Sequence, residues 1–304
     1  MIREKVGLLP YIRENVYGHT TQSSQHIGWE IEKMGIQKLW KKGKGKGCTV
    51  AVIDTGCDLD HPDIAPNLLQ GKNFINKNKD PWDDNGHGSH VCGTVAAIDN
   101  GLGIVGVAPE AKILPIKALG SDGSGSMIDI AKAIVWAADN NANFITMSLG
   151  SPFRSENINI AIDYAVSKKC VVFCAAGNSG PKENIMFPAA TQSTIAIGAI
   201  DINLNRTPFT CAGEPLDFLA PGHDIMSLVP DNNYALMSGT SMSNPFAVGC
   251  AALLYGELYK RKRTYAHKQS YYISRFKENA MSLKQAKYRT KKYQGYGIIN
   301  LKAL

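Results

Sequence analysis

A chain of 304 residues with 44% apolar and 19% charged residues can bury one large core or two modest ones, and this composition excludes an extended disordered protein. No run reaches the roughly 18 apolar residues that cross a bilayer, and Met1-Ile2-Arg3-Glu4-Lys5-Val6 lacks the roughly 7–15-residue apolar core of a secretory signal. A cytoplasmic location without membrane contact is therefore expected, and the seven cysteines, an odd set embedded in apolar runs, read as reduced, buried thiols.

The first pattern along the chain is Leu8-Leu9-Pro10-Tyr11, an apolar, kinked tetrapeptide standing ahead of any recognisable core. From Cys48 onward, short apolar runs read as strands at Thr49–Asp54, Ala111–Leu119, Asn143–Leu149, Cys170–Ala176 and Ser193–Ile200. Between them, Met127–Asn140 and Asn159–Lys169 carry apolar residues at helical spacing. The strands are continuously apolar, as burial on both faces requires. Strand and helix in alternation predict an α/β domain with a doubly wound, mainly parallel sheet and helices on both faces. Cys170 and Cys174, four residues apart on one expected strand, lack further ligands nearby, so no zinc site is expected.

In such a sheet, ligands bind beyond the carboxyl ends of the strands. Three strands deliver polar or glycine-rich groups there: Asp54-Thr55-Gly56, Leu149-Gly150 and Gly177-Asn178. Three motifs stand out: Ala51–Gly56 (AVIDTG), Asn85–Ala97 (NGHGSHVCGTVAA) and Ser238–Pro245 (SGTSMSNP). A nucleophilic serine needs a base for its proton and a third group that holds the base in its working tautomer. Ser241, His87 and Asp54 supply those types. Their order, Asp then His then Ser, separates this layout from other serine hydrolases, and no G-x-S-x-G surrounds Ser241.

On these motifs the chain resembles the subtilisin-family serine proteases from about Gly28 onward, with two modest departures beside the triad: Ser89 where Thr is usual and Phe246 where His is usual. The resemblance implies an oxyanion hole from Asn178, the Ser241 N–H and the Thr240 hydroxyl. It implies a peptide groove with Gly123-Ser124-Gly125 on one edge and Ser148-Leu149-Gly150 on the other, and Met186 at the base of the main side-chain pocket. It further implies a structural calcium held by Asp63, Asn100 and the carbonyls of Ile98, Leu102 and Ile104, with Gln22 or Ser23 completing the shell. Among the subtilisins it looks most like the intracellular ones, whose short N-terminal extension carries a motif similar to Leu8-Leu9-Pro10-Tyr11 across the active site. Residues 1–23 are then an inhibitory extension, kinked by Pro10 so that its carbonyl is misplaced from Ser241, and residues 24–304 the catalytic domain.

The net charge of +7 is uneven: Leu258 to Lys292 holds twelve Lys and Arg against Glu278 alone, leaving the remainder at −4. With tyrosines interleaved, this tract reads either as an anion-binding patch or as a solvated face with aromatic contacts to the body; no nucleic-acid motif accompanies it, and nucleic acid is not an expected partner. The leading expectation is a calcium-stabilised intracellular serine endopeptidase acting on peptides or proteins, made self-inhibited, with a homodimer implied by resemblance. The alternatives are a dedicated leader peptidase, for instance for a lantibiotic precursor, and an inactive subtilisin-like binding module that uses segment 258–292.

Overall fold

The computed structural model describes residues 5–18, 24–260 and 268–302. Its strands are β1 (Lys5–Leu8), β2 (Ile12–Gly18), β3 (Thr49–Asp54), β4 (Lys72–Asn73), β5 (Lys112–Lys117), β6 (Ser124–Ser126) and β7 (Phe144–Met147), followed by β8 (Leu149–Gly150), β9 (Val171–Ala175), β10 (Thr194–Ile200), β11 (Phe218–Pro221), β12 (Ile225–Val229) and β13 (Asn233–Ser238). The α-helices are α1 (Trp29–Met34), α2 (Ile36–Trp40), α3 (His87–Ala96), α4 (Met127–Asp139), α5 (Glu156–Ser167), α6 (Thr240–Lys260), α7 (Gln269–Asn279) and α8 (Lys291–Gln294).

The main sheet has seven strands in the order β11-β10-β9-β7-β3-β5-β4, and every pairing in it is parallel. The expected α/β sheet is thus present, and all five strands read from the sequence lie in it, Thr49–Asp54 with the same bounds and the other four trimmed by a residue or two. The apolar runs explain this: β7, β9 and β10 are buried at every residue, as strands covered on both faces must be. The chain enters at β3 and later strands are added on both sides of it, so the order reverses beside β3. That reversal opens a crevice at the carboxyl ends of β3 and β7.

Helices α4 and α5 pack together on one side, and α3 and α6 pack together against the sheet and β12 on the other. Helix α4 starts at Ser126, whose hydroxyl accepts from the Ile128 N–H at 3.2 Å, a side-chain N-cap. Helix α6 is buried all round over its first four turns, which is why its sequence shows no polar stripe. Among the described residues no helix is long and apolar enough to cross a membrane.

The described part of the basic tract folds onto the body. Tyr272 and Phe276 of α7 are fully buried, in edge contact with Phe144 at 5.1 Å and Phe218 at 5.6 Å respectively. Lys277 and Lys291 each sit 4.6 Å from the centre of the Tyr296 ring, and the Arg206 guanidinium lies over Tyr288 and Tyr293. Of the interleaved tyrosines, Tyr272 thus packs in the core and Tyr288 partners a cation of the same chain. Arg261, Lys262, Arg263 and Tyr265 lie outside the described residues.

Two small antiparallel sheets complete the fold, in the orders β6-β1-β8 and β12-β13-β2. The N-terminal segment gives one strand to each. Neither strand is visible in the sequence pattern, because β1, central between β6 and β8, and β2, on the edge beside β13, are held largely through the main chain.

Candidate active site

Asp54 ends β3 and is fully buried; its Oδ1 accepts from the Thr55 N–H and faces His87 Nδ1, each at 2.8 Å. His87 opens α3 after Gly86, which adopts φ 104°, and its N–H donates to Asn85 Oδ1 at 3.2 Å. The helix can approach β3 this closely because residue 88 is glycine: a Cβ there would lie 2.1 Å from the Gly56 carbonyl oxygen. Burial, an acid on one ring nitrogen and a bare second nitrogen are what a general base requires. Nε2 of His87 has no hydrogen-bond partner among the described residues.

Ser241 is the second residue of α6, where backbone N–H groups have no acceptor within the helix. Its Oγ donates to the Ser148 carbonyl at 3.3 Å, and the Ser148 hydroxyl donates back to the Ser241 carbonyl at 2.9 Å. The reason lies four residues on: Pro245 has no N–H to give to the carbonyl of Ser241, so that acceptor is left for Ser148. Asn178 follows β9; its Oδ1 accepts from the Thr240 N–H at 2.9 Å, which fixes the amide so that Nδ2 faces the cleft. The Thr240 hydroxyl, expected to donate in the oxyanion hole, accepts from the Gly177 N–H at 3.2 Å.

The cleft is filled by the N-terminal segment. Strand β1 pairs antiparallel with both expected groove edges, Val6 opposite Gly125, Gly7 opposite Ser124 and Gly150, and Leu8 opposite Leu149. The Leu8 N–H donates to the Gly123 carbonyl at 2.9 Å. Val6 closes a small pocket walled by Met127, Phe153, Ile158 and Phe187. Leu9, only 3% exposed, lies against Gly150, beside Met186. A Cβ added at Gly150 would come within 2.7 Å of Leu9 Cδ2 and 3.1 Å of Met186 Cβ, so glycine is what leaves room for Leu9. Asn178 Nδ2 donates to the Pro10 carbonyl at 2.6 Å, and the Tyr11 ring lies 5.0 Å from the His87 ring. The misplacement expected at Pro10 therefore takes a specific form. The Pro10 carbonyl is held by Asn178, but the side chain in the pocket belongs to Leu9.

Two residues that sequence reasoning missed organise this region. Asp83 is buried, and its carboxylate accepts from Thr55 Oγ1, the N–H groups of Asn85, Gly86 and Ser89, and the Ser89 hydroxyl, all at 2.7–3.0 Å. Burial raises its pKa, but these donors outweigh that and hold it below the ordinary aspartate value. It thereby fixes the turn that presents His87, and Ser89 keeps a hydroxyl at the position where the resemblance shows Thr. No local pattern marks Asp83, because Thr55 and Ser89 reach it only on folding. His90, one turn on, is buried and pushed down to about 3, chiefly by burial, so it stays neutral. Phe246, the second departure, is buried in the core.

The second missed residue is Gln25. Its Nε2 lies 3.0 Å from the Ile98 carbonyl, 3.1 Å from that of Ile104, 3.3 Å from that of Leu102 and 3.5 Å from Asn100 Oδ1. Four acceptors surround an amide with two hydrogens to give. Buried Asp63 adjoins them, accepting from Asn100 Nδ2 at 3.0 Å and from the Ile104 N–H at 2.9 Å. A cluster of oxygens richer than its donors fits a hard cation, with the Gln25 amide turned to present its oxygen. Gln22 and Ser23, the ligands considered from the sequence, lie outside the described residues.

A parallel sheet with its switch point at β3, a buried Asp–His pair and a serine at a helix start beside an amide donor define a serine hydrolase with an extended peptide cleft. Residues 45–297 match the family model described as the subtilase family. The chain is 38% identical over 263 residues to an intracellular serine protease of Paenibacillus polymyxa, covering 83% of this chain and 79% of that protein. It is 39% identical over 247 residues to an alkaline protease of Shouchella clausii, and 40% identical over 249 residues to subtilisin E of Bacillus subtilis. These matches cover about 80% of this chain but span 63% and 64% of those two proteins. The chain belongs to the subtilase family and is a subtilisin-like serine endopeptidase.

Proposed function

We propose that this protein is an intracellular, calcium-stabilised endopeptidase made in a self-inhibited form, in which residues 1–23 act as the inhibitory extension and residues 24–304 as the catalytic domain. Ser241 is the nucleophile, His87 the base that takes its proton and returns it to the leaving amine, and Asp54 the group that holds the imidazole. Ser241 Oγ attacks the substrate carbonyl, the proton passes to His87 Nε2, and the oxyanion is met by Asn178 Nδ2 and the Ser241 N–H. Collapse expels the amine and leaves an acyl-enzyme that water hydrolyses by the reverse proton route. The equivalent asparagine in a subtilisin is worth about 10²–10³ in kcat, a magnitude borrowed from that enzyme.

One observation carries the inhibition: the Pro10 carbonyl is gripped by Asn178 at 2.6 Å while the pocket holds the side chain of Leu9. In a productive substrate the gripped carbonyl and the pocketed side chain belong to one residue. Here they are one residue out of step, and Ser241 Oγ donates to Ser148 rather than to His87. The kink that Pro10 imposes is what permits the mismatch. Calcium would be held by Asp63, Asn100 and Gln25 side chains with the carbonyls of Ile98, Leu102 and Ile104, and would tie down the loop after α3. The intracellular setting rests on the name of the Paenibacillus polymyxa relative and on the likeness of the extension to that of intracellular subtilisins.

The test is to incubate the wild-type chain with calcium beside Ser241→Ala and follow intact masses and N-termini by mass spectrometry. Wild type should lose its extension between Tyr11 and Gly28 and then gain activity on peptides, while Ser241→Ala stays intact. An untrimmed wild type that is already fully active would refute self-inhibition.

A further inference from the structure

Beyond the gripped carbonyl, the N-terminal segment continues as β2, seven residues lying antiparallel on β13. The register runs from Ile12 opposite Ser238 to Gly18 opposite Asn233, with one irregularity between Ala235 and Leu236. If the Pro10 carbonyl occupies the acyl position, Tyr11 is the first residue on the leaving side and Gly18 the eighth. Ile12 is 50% exposed and Val16 54%, and Arg13 and Glu14 are also exposed, so main-chain pairing rather than side-chain burial holds this strand. Main-chain pairing is indifferent to sequence and accepts any extended chain without proline at the bonded positions. Removal of the extension would uncover β13 as a free edge running directly out of the catalytic cleft.

We propose that β13 is an extended binding edge for the leaving-group side of substrate, so that the enzyme selects unfolded polypeptide with about seven residues beyond the scissile bond. This rests on the self-inhibition reading, because the same edge is occupied by β2 until trimming. A lesser selectivity accompanies it. Arg13, third after the gripped carbonyl, shares a surface pocket with Asp83, Asp84 and Asp231, and a Cβ at Gly86 would lie 3.3 Å from its Nη1. Asp84 is paired with Lys117 at 2.5 Å and Asp83 accepts five hydrogen bonds, so Asp231 is the carboxylate that a basic side chain at that substrate position would meet.

The test uses the full chain after incubation with calcium, its N-terminus checked by mass. Quenched fluorescent peptides share one acyl half and carry two, four, six or eight residues after the scissile bond. The specificity constant should rise with each length from two to eight residues, by about tenfold or more in all, as several added main-chain hydrogen bonds require. N-methylation of alternate leaving-side amides should cancel the gain without any change to the protein. Arg at the third position should exceed Glu about threefold at low salt, and Asp231→Asn, which suits the φ of 67° at that residue, should narrow the gap. Cleavage that is indifferent to length beyond two residues, in trimmed enzyme, overturns the inference and leaves self-inhibition standing. A wild-type chain that is active without trimming sinks the self-inhibition reading instead; if length still governs its rates, the edge is supported, and if not, both fall.

Discussion

Glu30 shows how one buried side chain ties local backbone to pH. It sits in the first turn of α1, 4% exposed, with Oε2 unpartnered among the described residues. A Cβ at Gly28 would lie 2.0 Å from its Oε1, so the glycine before the helix is what lets the carboxyl fold back. Burial, with a smaller push from Glu32, raises its pKa to about 7 against its own backbone hydrogen bond. Unfolded, Glu30 loses its proton near the ordinary carboxylate value; folded, it keeps it to about pH 7. The folded state binds the extra proton in that window, so stability from this group falls as pH rises through it. The full cost above pH 7 is on the order of 3 kcal/mol. His90 works in the opposite direction: its folded value near 3 lies below the unfolded one, so stability is lost as pH falls below about 6.5. Glu30→Gln should therefore raise the Tm more at pH 8 than at pH 5. Equal gains at both values in calorimetry would show that Glu30 is not held neutral.

At the scale of elements, the proposed self-inhibition has β1 and the turn after it lie in the cleft as a substrate would, except for the mismatch at Pro10. Two anchors hold them, each 3% exposed: Val6 within β1, which is paired on both edges, and Leu9 just after it. Placing a carboxylate in the Leu9 pocket costs several kcal/mol unless it is neutralised. Leu9→Asp should empty the pocket and raise the initial rate of the untrimmed chain on short peptides by about tenfold or more. An initial rate equal to that of wild type would mean that β1 does not close the cleft.

For the whole molecule, the proposed calcium cage would join parts far apart in sequence: Gln25, Asp63 on the way from β3 to β4, and residues 98–104 after α3. A cation bound only in the folded state at about 100 times its Kd adds about 2.7 kcal/mol. In a chain of this size that corresponds to a Tm rise of roughly 5 °C. Chelation should lower the Tm by about that much, and Gln25→Ala should shrink the difference. A Tm indifferent to calcium would remove the site from the account.

The amino-acid sequence by itself determined the buried parallel strands, because strands covered on both faces need continuous apolar runs that can be read locally. It also pointed to Asp54, His87, Ser241 and Asn178 as the candidate site, since each sits in a short motif at the end of a strand or the start of a helix. Only the tertiary structure decided the rest. Gln25 and Asp83 act through partners that folding brings to them, and neither a lone glutamine nor one of two adjacent aspartates announces that. Strands β1 and β2 are held by main-chain pairing that leaves no side-chain period to read. The packing of Tyr272 and Phe276 into the core, and of lysines over Tyr288 and Tyr296, likewise appears only in the folded chain. The offset between Leu9 and Pro10 exists only where a kinked chain meets a pocket and an amide donor built from distant residues.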